Sequence, residues 1–343
     1  DAWLCDDRPP RRARAGVAVA LVGGRATPDG RYAKLSDLPA GDDNPFPVFG
    51  LGDVDRDLLA AELDAGRPVR LRFALDATNA RAEVESVFAR VPARAGAPPG
   101  YLLYCAHGDS DAGGPGANDN ASGEAIVLEI AEAWAAALSA GAVEPPPREL
   151  RFALWGSEIH SSRAHLRRAE AEGAVPLLGV VNYDQSGFGA GQDRLYLEPD
   201  DLPANGDLIR CGVAVLGDFG GRPGFPERWA TVRSLGGTDS YVFSSSSYFR
   251  DAGRPAITLY ASAWGEPSVE PRTPTMPGES WRDRDVVEVD HDPWYHSSGD
   301  LPEHTTDREP WNLAWGARVG MLAGLRWLEG EGRVTAPPPL PPK

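Results

Sequence analysis

The chain has 343 residues, with 50 acidic against 34 basic side chains and a formal net charge of −16. Nucleic acid is not expected as a partner, because its phosphates require a basic footprint. Hydrophobic residues make up 42%, which excludes global disorder and suits one large α/β domain plus a smaller one.

The basic side chains are nearly all arginine; Lys34 and Lys343 are the two lysines. Cys5, Cys105 and Cys211 make no disulfide framework. Cys105 reads as a small buried residue. With no run of 18 apolar residues, no membrane span is expected. No signal peptide is visible, and the start at Asp1 leaves a removed leader, and so secretion or a periplasmic location, open.

Residues 1–75 read as one unit. Gly16–Val22 predicts a buried strand, and Phe46–Phe49 a short second run. Asp53–Gly66 has helical spacing, with apolar residues at 54, 58, 59 and 62. Val69–Leu75 alternates as a half-buried strand. No constellation of catalytic residue types falls in this unit.

A second unit is expected over 76–333. Glu83–Val91 alternates again, followed by the linker ARAGAPPG. Strands are predicted at 101–106, 149–155, 177–183, 194–198 and 256–261, and helices at 121–139, 161–172, 202–216, 238–245 and 308–329. This rhythm predicts a mainly parallel mixed sheet sandwiched between helices. Sites in such sheets gather at the carboxyl ends of strands. The tail, 334–343, is proline-rich and reads as extended.

The stretch YLLYCAHGDSDAGGPGANDNASG, Tyr101–Gly123, concentrates the chemistry. Its apolar run delivers His107, Asp109 follows, and a glycine-rich loop presents Asp119 before a helix. Glu158 follows the strand at 149–155, Asp184 the strand at 177–183, and DPWYHSSGD places His296 between Asp292 and Asp300. Imidazole and carboxylate are the ligand types that zinc prefers. Two histidines and two aspartates can hold two ions if one carboxylate bridges, an arrangement used for hydrolysis. Taken singly, each has a plain structural reading. Asp119, with Asn118, Asn120 and Ser122, fits turn and cap chemistry. Glu158 fits a helix first turn, Asp184 a strand-end turn, and either histidine a structural role. The joint occurrence disfavours those readings. Asp109 and Asp300 suit acceptors that orient the imidazoles.

The ordered set AHGDS, GANDNASG, ALWGSE, NYDQSG and YHSSGD resembles the double-zinc exopeptidase family. That family includes bacterial leucyl aminopeptidase, glutamate carboxypeptidase, glutaminyl cyclase and the transferrin receptor. The resemblance runs from about residue 90 to 330, and GANDNASG is its most specific motif. GGTDSYVF, 236–243, resembles a family motif with Asp239 retained and Ser240 at its histidine position. Residues 1–75 resemble, less closely, the protease-associated domain, a smaller α+β unit. The resemblance implies zinc, one or two ions, held by His107, Asp119, Asp184 and His296, with Asp119 bridging. It implies Glu158 and Asp109 as catalytic residues, Glu158 being the general base, with Asp300 and Asp239 in support.

The family has a second acid directly after that base; here the position is Ile159, which cannot ligate. Three assignments follow. His160 supplies the missing ligand; or Glu158 is itself the ligand; or the site is mononuclear or inert toward peptides. The expected function is a metal-dependent, aminopeptidase-like hydrolase acting on a peptide or small amide. The alternatives are a non-catalytic homologue, or single-zinc acyl transfer or cyclisation.

Overall fold

The protein is seen here in a computed structural model that describes residues 3–5, 20–23, 27–28, 48–72, 74, 83–110, 114–172, 175–233, 255–262, 268–271 and 286–330. Near the N-terminus, β1 (Trp3–Cys5), β2 (Ala20–Gly23) and β3 (Val48–Leu51) form a parallel sheet in that order. Helix α1 (Asp53–Asp64) follows. The strand expected at Val69–Leu75 is corrected: residues 69–72 are unpaired coil, and Leu71 is 42% exposed. Its alternation has no sheet edge on which to bury a face.

The main sheet has seven strands. They are β4 (Val87–Val91), β5 (Tyr101–His107), β6 (Glu149–Trp155), β7 (Leu177–Tyr183), β8 (Arg194–Glu198), β9 (Arg228–Thr231) and β10 (Ala256–Tyr260), in the order β4-β6-β5-β7-β10-β8-β9. β6, β5, β7 and β10 run parallel. β4 is antiparallel to β6, β8 is antiparallel to β10, and β9 follows β8 in parallel. The mixed, mainly parallel sheet expected from the strand–helix rhythm is present. A hairpin of β11 (Ser268–Pro271) and β12 (Val286–Val289) completes the described strands.

The helices are α2 (Ser122–Ser139), α3 (Glu158–Glu172), α4 (Gly206–Phe219) and α5 (Trp311–Glu329). Three begin a few residues away from where sequence periodicity put them, as helix ends often do. The helix expected at 238–245 lies outside the described residues.

All seven residues of β5 are buried. Leu102, Tyr104 and Ala106 join the α2, α4 and α5 side of the core, with Ile126, Leu208 and Val319. Tyr101, Leu103 and Cys105 face the other side, with Leu166 of α3. A strand covered on both faces loses the polar alternation of a half-exposed one, which is why β5 reads as a continuous apolar run. On α5, a Cβ at Gly320 would overlap the Tyr183 hydroxyl and one at Gly324 the Tyr104 hydroxyl. Glycine there lets the helix close on two sheet tyrosines.

Candidate metal centre

The central parallel pair positions the first two side chains. β5 pairs with β7 up to Cys105 opposite Asn182. Two residues further on each strand come His107 and Asp184, so adjacent parallel strands deliver both to one edge. His107 Nε2 lies 3.6 Å from Asp184 Oδ1. β5 also pairs with β6, with His107 opposite Trp155. Glu158 opens α3 three residues later.

Asp119 reaches the same edge from the loop before α2. Gly116 turns that loop with φ 70°, and a Cβ there would lie 2.7 Å from Ser110 Cβ and 2.8 Å from the Asp119 carbonyl oxygen. Asp119 Oδ1 is then 3.2 Å from His107 Nε2, and its Oδ2 is 3.1 Å from His296 Nε2. One carboxylate thus stands between the two imidazoles. The donor atoms of His107, Asp119 and Asp184 converge within 4.8 Å of one another, and all three residues are buried.

The polar residues around Asp119 do more than turn the chain. The Asn120 side chain donates to the Tyr183 carbonyl at 2.8 Å and accepts from the Gln185 N–H at 3.3 Å. Asn118 Oδ1 accepts from the Gly187 N–H at 2.9 Å, and Ser122 Oγ from the Ser186 N–H at 3.0 Å. These bonds tie the Asp119 loop to the Asp184 loop. A Cβ on Gly123 would lie 2.5 Å from both Asn120 Oδ1 and the Tyr183 carbonyl oxygen, which explains glycine within that weave. Asn118 Nδ2 also donates to Asp292 Oδ2 at 2.9 Å, linking the loop to the segment that carries His296.

Asp109 and Asp300 serve different partners. His107 Nδ1 is 2.9 Å from the Asp109 carbonyl and 3.3 Å from its carboxylate. A carbonyl oxygen can only accept, so Nδ1 carries the proton and Nε2 turns its lone pair toward Asp119 and Asp184. Asp300 accepts the N–H of Asn118 at 2.8 Å and of Asp119 at 3.0 Å. Sequence suggested support for an imidazole; the structure gives Asp300 to the backbone of the Asp119 loop instead, because that loop folds across it.

The electrostatics follow the geometry. Burial pushes the Asp184 carboxyl up to about 6, with the His107 ring acting against that shift. Burial also opposes ionisation of Asp119, but His107 and His296 outweigh it and hold its pKa well below the usual range. Asp184 Oδ1 is buried without a hydrogen-bond partner. A buried, unpartnered carboxylate oxygen facing an imidazole lone pair is the donor set a cation satisfies.

His160 sits in the first turn of α3, exposed, and stands outside the converging group. Ile159 beside it is 38% exposed. Asp239 lies outside the described residues. Sequence reading passed over Glu124, whose carboxylate lies over Gly108, where a Cβ would overlap it. Burial raises its pKa, with His107 acting against that shift and Asp109 adding to it. Its signal was an acid directly after the ASG of the metal loop.

The chain is also similar to known proteins. The chain is 32% identical over 122 residues to an aminopeptidase of Pseudomonas aeruginosa, covering 35% of this chain and 21% of that one. It is 26% identical over 232 residues to leupeptin-inactivating enzyme 1 of Streptomyces exfoliatus, covering 58% and 52%. It thus spans between about a fifth and a half of these curated relatives. Among solved structures, a zinc aminopeptidase from Bacillus subtilis superposes with TM-score 0.56 at 17% identity, covering 90% of this chain and 64% of that one. A peptidase M28 precursor from Shewanella amazonensis gives 0.54 at 19%, covering 96% and 63%. These two show the shared fold. The model of Peptidase family M28 matches residues 86–319, most of the chain and every residue of the converging group, so the protein belongs to Peptidase family M28.

Proposed function

We propose that the protein is a zinc-dependent, aminopeptidase-like hydrolase that removes residues from the amino end of a peptide or small amide. The observation that carries this is the convergence of His107, Asp119 and Asp184, with Asp119 turning its second oxygen to His296. These residues would hold the metal: three donors for one ion, and the Asp119–His296 pair as the start of a second locus. Zinc, when bound, supplies Lewis acidity at the scissile carbonyl and lowers the pKa of a water.

The chain's own groups do the rest. Glu158, at the head of α3, takes the proton of the attacking water and passes it to the leaving amine. Asp109 holds the His107 tautomer and the backbone of Glu158 together. The acidic side chains around the centre suit the free ammonium of a substrate. His296 has φ 51° and Gln185, next to Asp184, φ 48°. Backbone of this kind costs a non-glycine residue about 1 kcal/mol or more and clusters at functional sites.

A separate N-terminal unit over 1–75, like a protease-associated domain, belongs to the same reading. The β1–β3 sheet, which shares no strand with the main sheet, supports it. A non-catalytic role is less well supported, since the relatives matched are named as aminopeptidases or an inactivating enzyme. Among the described residues, no helix is long and apolar enough to cross a membrane. The test is metal content together with release of p-nitroaniline from aminoacyl p-nitroanilides. Stoichiometric zinc, and turnover abolished by a chelator and restored by zinc, are expected. A purified protein that binds no zinc would overturn the reading.

A further inference from the structure

A cavity of about 490 Å³ opens beside β4, β6 and α3, lined in part by Phe88, Arg90, Arg151, His165, Arg168 and Val175. Three arginines thus line one cleft in a chain of net charge −16. None of the described lining residues is acidic. Glu149, beside the cleft, takes up part of the charge: Arg151 Nε is 2.5 Å from it and Arg90 3.8 Å. The Arg151 guanidinium is fixed 3.9 Å above the Tyr101 ring.

The remaining wall is aromatic. Phe88, on the edge strand β4, is 51% exposed and so presents ring surface to the cleft. One face of it stacks on His165, with centroids 5.5 Å apart and planes at 22°. The Tyr101 hydroxyl lies 3.0 Å from His165 Nε2 and helps hold that ring in place. Burial, and then Arg151 and Arg168, hold the His165 pKa at about 4. At neutral pH the imidazole therefore offers a flat neutral surface and leaves the charge to the arginines.

We propose that this cleft is a binding site for a small organic oxyanion bearing one planar apolar group, such as an aryl carboxylate or aryl phosphate. The ring lies against Phe88 and the oxygens meet the guanidiniums of Arg90, Arg151 and Arg168. Guanidinium matches the planar fork of carboxylate and phosphate alike. The volume lies in the range of small-molecule sites. Guanidinium donors in the wall favour an oxyanion over an ammonium, so this ligand class differs from the substrate class proposed for the metal centre.

The test is calorimetric titration of the full chain with benzoate, phenyl phosphate, inorganic phosphate, benzyl alcohol and benzylamine, with and without a chelator. Benzoate or phenyl phosphate is expected to bind with a dissociation constant that the chelator leaves unchanged, and the tighter of the two assigns carboxylate or phosphate. Arg168→Ala and Phe88→Ala should each weaken binding at least tenfold. Arg90→Ala, made on an exposed side chain, gives the same reading should Phe88→Ala fail to fold. The proposal is overturned if neither aryl anion binds, or if benzyl alcohol, benzylamine or inorganic phosphate binds as tightly. It is also overturned if the chelator abolishes binding, or if the arginine variants leave it unchanged.

Discussion

The carboxylate of Asp109 accepts the backbone N–H of Glu158 at 2.8 Å. The same residue holds Nδ1 of His107 through its carbonyl oxygen at 2.9 Å. One residue just past β5 therefore fixes a candidate ligand, through its backbone, and, through its side chain, the first turn of the helix that carries the candidate base.

Removing that link should loosen both. Asp109→Ala keeps the carbonyl behind His107 but removes the carboxylate 3.3 Å from Nδ1, and is expected to weaken zinc binding by about tenfold, the low end of the usual cost of losing a partner behind a metal-bound histidine. It should also lower kcat more than it raises KM. Asp109→Asn keeps an acceptor for the Glu158 N–H and should lose less. Chelator competition and steady-state kinetics measure the two effects; unchanged zinc affinity in the alanine variant would sink the assignment.

The donor set predicts a graded response in metal content. Asp184→Ala removes one of the three converging donors, so the purified variant should lose close to one equivalent of zinc by elemental analysis. His296→Ala leaves that group intact and should retain an ion. An Asp184→Ala variant that keeps its full complement of zinc, or a His296→Ala variant that binds none, would contradict this partition of the site.

Two glycines make opposite predictions for stability. Gly320 faces the buried Tyr183 hydroxyl, and the added methyl of Gly320→Ala has nowhere to go. Overpacking costs about 1–3 kcal/mol, which exceeds the gain of about 1 kcal/mol from helix propensity. The melting temperature should fall. Gly217, in the last turn of α4, has nothing within 4 Å of its Cβ position. Gly217→Ala should leave stability unchanged or raise it by up to about 1 kcal/mol. Thermal denaturation of the pair decides.

His165 predicts an acid limb of stability. Its folded pKa is about 4 against an ordinary 6.5, lowered by burial and then by Arg151 and Arg168. For a depressed pKa, the stabilisation is complete above the unfolded value and is lost as pH falls from about 6.5 to about 4. The loss should be on the order of 2 kcal/mol after allowance for partial exposure. Denaturant midpoints of the protein and of His165→Gln, compared at pH 7 and pH 4.5, should diverge less at the lower pH. Parallel curves would refute the assignment.

Much of this protein was legible in its sequence. β6, β7 and β8 occupy the predicted stretches, because buried strands bounded by turn residues announce themselves locally. The donor types and their positions at strand ends were legible for the same reason: they depend on neighbours in the chain.

What sequence could not decide are relations between distant residues. Local periodicity does not say which strands hydrogen-bond, yet the β5–β7 pairing is what sets His107 against Asp184. It does not say that Asp300 spends its carboxylate on the backbone of Asn118 and Asp119. Three assignments for the Ile159–His160 position stayed open on residue type alone. Only the folding of that segment into α3 put His160 in solvent, outside the converging group. Sequence by itself determined which donors the protein carries. The long-range closure of the sheet and its loops decided which of them meet, because burial and hydrogen bonding are satisfied only once the whole chain is packed.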